Sequence, residues 1–138
     1  MASVDLSKSV ALSANPEEVW AFVSDFGGYA SWQPHIASVE MQDNGERKVT
    51  FTRGDTVLDR IAEQDEDAKR LAYELVPGQQ TPLASLLAAF TVSGAGEGSE
   101  VEYRIIVEVP DPMEDMAKVG IGADIDGALA GLQERFSG

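Results

Sequence analysis

The residues from Met113 to Phe136 are the one long stretch with helical spacing, and nearly everything before them reads as strands. Ala117, Ile121, Ile125, Leu129, Leu132 and Phe136 recur at three- and four-residue intervals, which draws a single apolar stripe. One amphipathic helix after a run of strands must bury that stripe against the sheet. Its glycines, Gly120, Gly122, Gly127 and Gly131, are the oddity, since each costs about 1 kcal/mol relative to alanine inside a helix. Either the helix frays or bends near Gly120–Gly122, or something approaches its backbone closely there. The expected arrangement is a curved sheet gripping this helix, with a cavity between them.

The segments before the helix supply that sheet. Val4, Leu6, Val10 and Leu12 alternate with polar or small residues, as a strand does. Lys8 shares their parity, either snorkelling outward at an edge or standing as a cation inside the cavity. Asn15-Pro16-Glu17-Glu18 then opens a helix: Asn caps, Pro takes the first position, and two carboxylates face the positive end of the dipole. That helix is expected to bury Val19, Trp20, Val23 and Phe26 and to stop at Gly27-Gly28, with a second short helix or turn over Tyr29–Trp32. Strands follow at Ile36–Gln42, Arg47–Arg53, Thr56–Gln64, Arg70–Val76, Leu83–Ser93 and Glu100–Val109, separated by turns such as Asp43-Asn44-Gly45-Glu46. Seven strands on short loops suggest an antiparallel meander.

Parity separates a dry face from a wet one. Val49, Phe51 and Arg53 share a face, as do Val57, Asp59 and Ile61; Leu71, Tyr73 and Leu75; and Val101, Tyr103, Ile105 and Val107. The 83–93 strand is apolar on both parities, and Leu86, Ala88 and Phe90 are taken as its inward set because Phe90 is the larger group.

Composition removes several function classes. At 138 residues the chain is read as a single α+β domain, 1–138, long enough for a real core. With 24 Asp and Glu against 10 Lys and Arg, its net charge of −14 repels phosphate backbones and anionic lipid headgroups. Neither nucleic acid nor membrane insertion is expected. No Cys is present, which excludes disulfides, thiolate zinc sites and cysteine nucleophiles. One His and dispersed carboxylates make neither a metal site nor a Ser-His-Asp triad. The opening Met-Ala-Ser-Val-Asp-Leu lacks the basic and apolar regions of a signal peptide, so a cytoplasmic location is the expectation.

Four local stretches, Ala14–Trp20, Tyr29–Pro34, Leu58–Ile61 with Ala72–Gly78, and Glu108–Pro110, together resemble the SRPBCC, or START and birch-pollen-allergen, superfamily. Ala14-Asn15-Pro16-Glu17-Glu18-Val19-Trp20 is similar to its "A-x-P-x-x-V-W" entry into the first helix. Tyr29-Ala30-Ser31-Trp32-Gln33-Pro34 is similar to its "Y-x-x-W-x-P". Leu58-Asp59-Arg60-Ile61 with Ala72–Gly78 resembles the "x-E-R-L … Y-x-I-x-x-G" section, and Glu108-Val109-Pro110 ends the last strand as in many members. The resemblance covers essentially the whole chain and points to the bacterial polyketide cyclase/dehydrase-like branch. It implies a helix-grip fold: a seven-stranded curved antiparallel sheet around a long C-terminal helix, with two short helices between strands 1 and 2. It also places Asp59 at the motif glutamate and Tyr73 at the next strand's aromatic. A gate loop would fall at Thr52–Thr56 and a latch loop at Gly78–Pro82. Arg53-Gly54-Asp55 does not reproduce the gate sequence of the plant hormone receptors of this fold, which argues against hormone sensing.

Asp59, between Val57 and Ile61, is the first candidate acid or base, because burial raises a carboxyl toward a useful pKa. A salt bridge to a neighbouring strand, for example to Arg53, would satisfy it equally well. His35 is the second candidate, as the only side chain whose ordinary pKa suits a proton shuttle near neutrality. Tyr73 and Tyr103 would either orient a ligand oxygen or bond a backbone carbonyl. Trp32, Phe51, Arg53, Ile61, Leu86, Phe90, Ile105, Met116 and Ile121 complete the expected cavity wall. The leading expectation is cofactor-free binding of a small hydrophobic molecule, polyketide-, lipid- or isoprenoid-like, by a monomer or dimer. The alternatives are a polyketide cyclase or dehydratase using Asp59 or His35, and an antitoxin-like regulator whose acidic exterior meets a basic protein.

Overall fold

The computed structural model describes residues 1–79, 81 and 83–136. Alternating strands and one terminal helix assemble into the helix-grip arrangement that the resemblance implies. The strands are β1 (Ala2–Leu12), β2 (Ile36–Met41), β3 (Arg47–Phe51), β4 (Thr56–Asp65), β5 (Arg70–Leu75), β6 (Ser85–Ala95) and β7 (Gly98–Val109). They form one antiparallel sheet in the order β1-β7-β6-β5-β4-β3-β2, so the first strand closes against the last. Short 3-10 turns lie at Phe26–Ser31 and Asp111–Met113.

Helix α1 (Pro16–Val23) starts as its sequence dictates: the Asn15 side chain accepts from the Glu18 N–H at 2.8 Å, and Pro16 needs no partner. It ends earlier than expected. The Ser24 N–H bonds the Trp20 carbonyl, and Phe26, expected in the helix, belongs to the 3-10 turn instead. Consecutive glycines at 27 and 28 are poor α-helix formers, which favours this tighter connection.

Helix α2 (Glu114–Phe136) runs unbroken through all four glycines and packs on β1 and β7. Ile121, Ile125, Leu129 and Leu132 are buried along it, and each such side chain contributes about 1.5–3 kcal/mol. The glycines divide into two kinds. A Cβ on Gly131 would stand 2.1 Å from the Trp32 carbonyl oxygen, and one on Gly127 would stand 3.2 Å from His35 Nδ1. These two let the helix lie against the Trp32–His35 segment. Gly120 and Gly122 meet open space. Neither expectation holds at Gly120–Gly122, where the helix is continuous and nothing is near; the close approach falls instead at Gly127 and Gly131.

Two strand boundaries change the inward faces. β3 ends at Phe51, and Arg53 sits in the following turn, 59% exposed and paired with Asp55. The ladder between β4 and β5 shifts register between Ile61 and Glu63, and Ile61 is 39% exposed there. β6 starts and ends two residues later than expected and β7 begins two residues earlier, because their turn narrows to two residues, with Ala95 opposite Gly98 and Gly96 in the left-handed region at φ 62°. Along β6, Leu86, Ala88 and Phe90 face Val107, Ile105 and Tyr103 of β7. Lys8 bonds Asp126 of α2 at 2.6 Å with both groups exposed, which makes it an edge cation. No helix among the described residues is long and apolar enough to cross a membrane.

Candidate functional site

Strand register places the most polar element of the interior. Arg47 of β3 lies directly opposite Asp59 of β4, on the face that turns toward α2. Arg47 Nε and Nη2 donate to the two Asp59 oxygens at 2.8 and 2.7 Å, and Nη1 donates to the Phe26 carbonyl at 2.8 Å. The guanidinium carbon lies 3.8 Å from the Phe26 ring centre, 4.5 Å from Tyr29 and 4.9 Å from Tyr73. Both residues are almost fully buried. Burial pushes the Asp59 carboxyl up, and the Arg47 hydrogen bonds and charge pull it down, with a net upward direction. Asp59 is thus satisfied by a neighbouring strand, but by Arg47 rather than Arg53. With both oxygens occupied, it is held as an ion-pair partner and not poised as a free acid or base.

Beside this pair, Tyr73 and Tyr103 bond each other through their hydroxyls at 2.5 Å, rather than bonding a backbone carbonyl. Burial is the main cause that raises both phenols, Tyr73 to about 12. Tyr103 stacks on Phe90 at 3.9 Å, and Phe90 in turn meets Tyr29 and Trp32. Aromatic rings therefore fill the inner half of the expected cavity.

What remains open are two adjoining spaces that share Phe51, Val57, Leu75, Leu86, Ile121 and Asp124 as walls. The inner one, about 60 Å³, also touches Gln33, His35, Arg47, Asp59, Tyr73 and Tyr103. The outer one, about 310 Å³, reaches Arg53, Asp55, Thr81, Leu83, Ala117 and Gly120. It opens between the β3–β4 turn, the β5–β6 loop and the first turns of α2. A larger surface depression of about 510 Å³ follows the β5–β6 loop and touches neither His35 nor Asp124. The expected latch segment lies partly outside the described residues. Its described Gln79 accepts from Leu58 N–H at 2.6 Å and donates to the Leu58 and Val76 carbonyls at 2.7 Å each. One side chain thus ties this loop to β4, alongside the Val76 N–H, which bonds the Leu58 carbonyl at 3.0 Å.

His35 and Asp124 stand where the two spaces meet. His35 Nε2 lies 3.8 Å from Asp124 Oδ1, and the imidazole stacks on Phe51. Burial lowers the His35 pKa, opposed by Asp124; burial raises the Asp124 carboxyl, opposed by His35 and Arg53. Nδ1 packs against Gly127, so Nε2 is the nitrogen turned toward the carboxyl. This pair can hold or pass a proton.

Of the residues expected in the cavity wall, Phe51, Asp59, Tyr73, Leu86, Tyr103, Ile105, Ile121 and Arg53 border one or both spaces. Trp32 and Phe90 belong instead to the aromatic packing behind them. Met116 is 69% exposed on the outside of α2. Ile61 touches neither space. Sequence reading missed Gln33, Arg47 and Asp124. Arg47 shares the parity of Val49 and Phe51, and Asp124 falls three residues after Ile121 and four before Ala128, so both carried a positional signal. Gln33 carried none.

A family model described as polyketide cyclase / dehydrase and lipid transport matches residues 1–137. No curated protein matches the chain. Among solved structures, an uncharacterised protein from Bacillus thuringiensis is 18% identical with a TM-score of 0.87, covering 98% of this chain and 100% of its own. The Zhui aromatase/cyclase from Streptomyces sp. R1128 is 14% identical with a TM-score of 0.85, covering 99% and 94%. A START superfamily protein from Mycobacterium smegmatis is 19% identical with a TM-score of 0.79, covering 96% and 97%. At these identities the likeness extends to the fold alone.

Proposed function

The chain belongs to the polyketide cyclase / dehydrase and lipid transport family, and from that premise we propose that it binds a small, largely apolar molecule in the two adjoining spaces between sheet and α2. The observation that carries this reading is the mouth. About 310 Å³ bounded by Phe51, Val57, Leu75, Leu83, Leu86 and Ile121 is open to solvent, at the lower end of the range for small-molecule sites. The filled inner half supports a compact ligand over a long chain. Native mass spectrometry of the purified protein, followed by denaturing extraction, tests the reading. An apolar molecule of defined mass should be recovered from the wild type and lost from Ala117→Trp, which narrows the mouth. A clean apo protein that also fails to take up a hydrophobic fluorescent probe would sink it.

One observation favours a second reading, cyclase or dehydratase chemistry. The Asp124 carboxyl borders both spaces, carries a raised pKa and is faced by His35. In that reading Asp124 moves a proton at the carbon beside a ligand carbonyl, with the neutral imidazole of His35 beside it as a group that can take that proton on. Asp124→Asn separates the two: a carrier keeps its ligand, whereas an enzyme loses rate by far more than affinity.

A further inference from the structure

Gln33 is 1% exposed, and its backbone is fixed from both sides, its N–H bonding the Tyr29 carbonyl at 2.9 Å and its carbonyl accepting from Ile36 N–H at 3.1 Å. Its side-chain amide nitrogen has no hydrogen-bond partner among the described residues, although the residue borders the inner space. An unmet buried donor of this kind costs about 1–3 kcal/mol, so a side chain retained in that state is suited to a partner that arrives from outside. Close by, the Tyr73–Tyr103 bond uses one hydroxyl proton and leaves the other over.

The size of the inner space limits what that partner can be. About 60 Å³ admits one or two groups the size of a water molecule, and no ring. Charge limits it further. The Lys and Arg side chains bordering the two spaces are Arg47 and Arg53, and both are already paired, with Asp59 and Asp55. A carboxylate entering here would find no unpaired Arg or Lys and would meet Asp124.

Resting on the binding reading above, we infer that the inner space is a subsite for one neutral oxygen acceptor, a ketone, ester or hydroxyl oxygen of the ligand, held by the amide of Gln33. The apolar remainder of the ligand then fills the outer space. The ligand class is a compact neutral amphiphile whose oxygen enters first, and free fatty acids are disfavoured. Gln33 is thereby a specificity-determining residue.

Three probes of matched shape test this by titration calorimetry or by competition with a fluorescent dye: 2-acetylnaphthalene, 2-isopropenylnaphthalene and 2-naphthoate. Without a donor in the site, the more polar ketone should bind more weakly than the hydrocarbon. The expected result is the reverse, a ketone preference of about fivefold, as one hydrogen bond supplies, with the naphthoate weakest. In Gln33→Leu the ratio of ketone to hydrocarbon affinity should fall to one or below. Gln33→Met serves if the leucine variant does not fold, and the wild-type ranking needs no variant. Equal binding of ketone and hydrocarbon, a preference that survives removal of the amide, or tightest binding of the naphthoate overturns the subsite while leaving the binding reading intact. If the wild type takes up none of the three, the binding reading itself falls, and the subsite falls with it.

Discussion

Replacing Arg47 by Met tests whether the charge pair at the centre of the sheet is what fixes the interior. The substitution keeps the length of the side chain and removes three donated hydrogen bonds, two to Asp59 and one to the Phe26 carbonyl. Asp59, 4% exposed, is then a buried carboxylate with no counter-charge. Removing one partner of such a pair costs about 3–5 kcal/mol. That is a large share of the roughly 5–15 kcal/mol that holds a domain of this kind folded, and it corresponds to a fall in Tm of about 10–20 °C. Burial raises the Asp59 carboxyl even in the wild type, and without Arg47 only that upward push remains. The sign follows from proton binding. In the variant, the folded state takes up a proton at a pH where the unfolded state does not, so stability rises as pH falls through the raised folded pKa. The deficit relative to wild type should therefore be largest at neutral and alkaline pH and shrink on acidification. Adding Asp59→Leu removes the stranded charge and should restore most of the loss. Urea unfolding at several pH values, on the two single variants and the double, reads all of this. A deficit in Arg47→Met below about 1 kcal/mol, or no recovery in the double variant, would refute the reasoning.

Two further outcomes follow from the same geometry. Gly131→Ala drives a Cβ into the Trp32 carbonyl oxygen and should cost more than 2 kcal/mol by analogy with overpacked cores, whereas Gly122→Ala meets open space and should gain about 1 kcal/mol; thermal melts that give the two the same sign would show the close approach to be unimportant. His35 should titrate below its ordinary value of 6.5, because burial outweighs the neighbouring Asp124, so the stability it contributes is complete above pH 6.5 and is lost as pH falls toward its lowered folded pKa. Asp124→Asn removes the one influence that raises it and should lower it further; an imidazole NMR midpoint at or above 6.5, or an upward move in the variant, would contradict the placement.

The order of elements was readable because it rests on local periodicity. The α2 stripe, the Asn15-Pro16 helix start and the alternation of β1, β5 and β7 are each written within one continuous stretch of the chain. The site was less readable because its polar contacts are set by register and volume. That Arg47 rather than Arg53 meets Asp59 depends on where β3 ends and how it pairs with β4. That Phe90 and Trp32 pack behind the cavity depends on how Tyr29, Tyr73 and Tyr103 share the same volume. Asp124 lay on the buried side of the helix, but a carboxylate flanking an apolar stripe reads as the edge of the wet face until the neighbouring elements are in place.

The pairing of β1 with β7 also bears on how the chain is made. Leu12 meets Ser99 and Ala2 meets Val109, so β1, the first of these strands to be synthesised, finds its neighbour among the described strands in β7, the last of them. At about 5–20 residues per second of synthesis, that strand waits several seconds with Val4, Leu6, Val10 and Leu12 uncovered. The β2–β3, β3–β4 and β4–β5 hairpins form from local partners in the meantime. Closure by β1 cannot precede the synthesis of β7, so of the seven strands this one is left longest without its sheet partner.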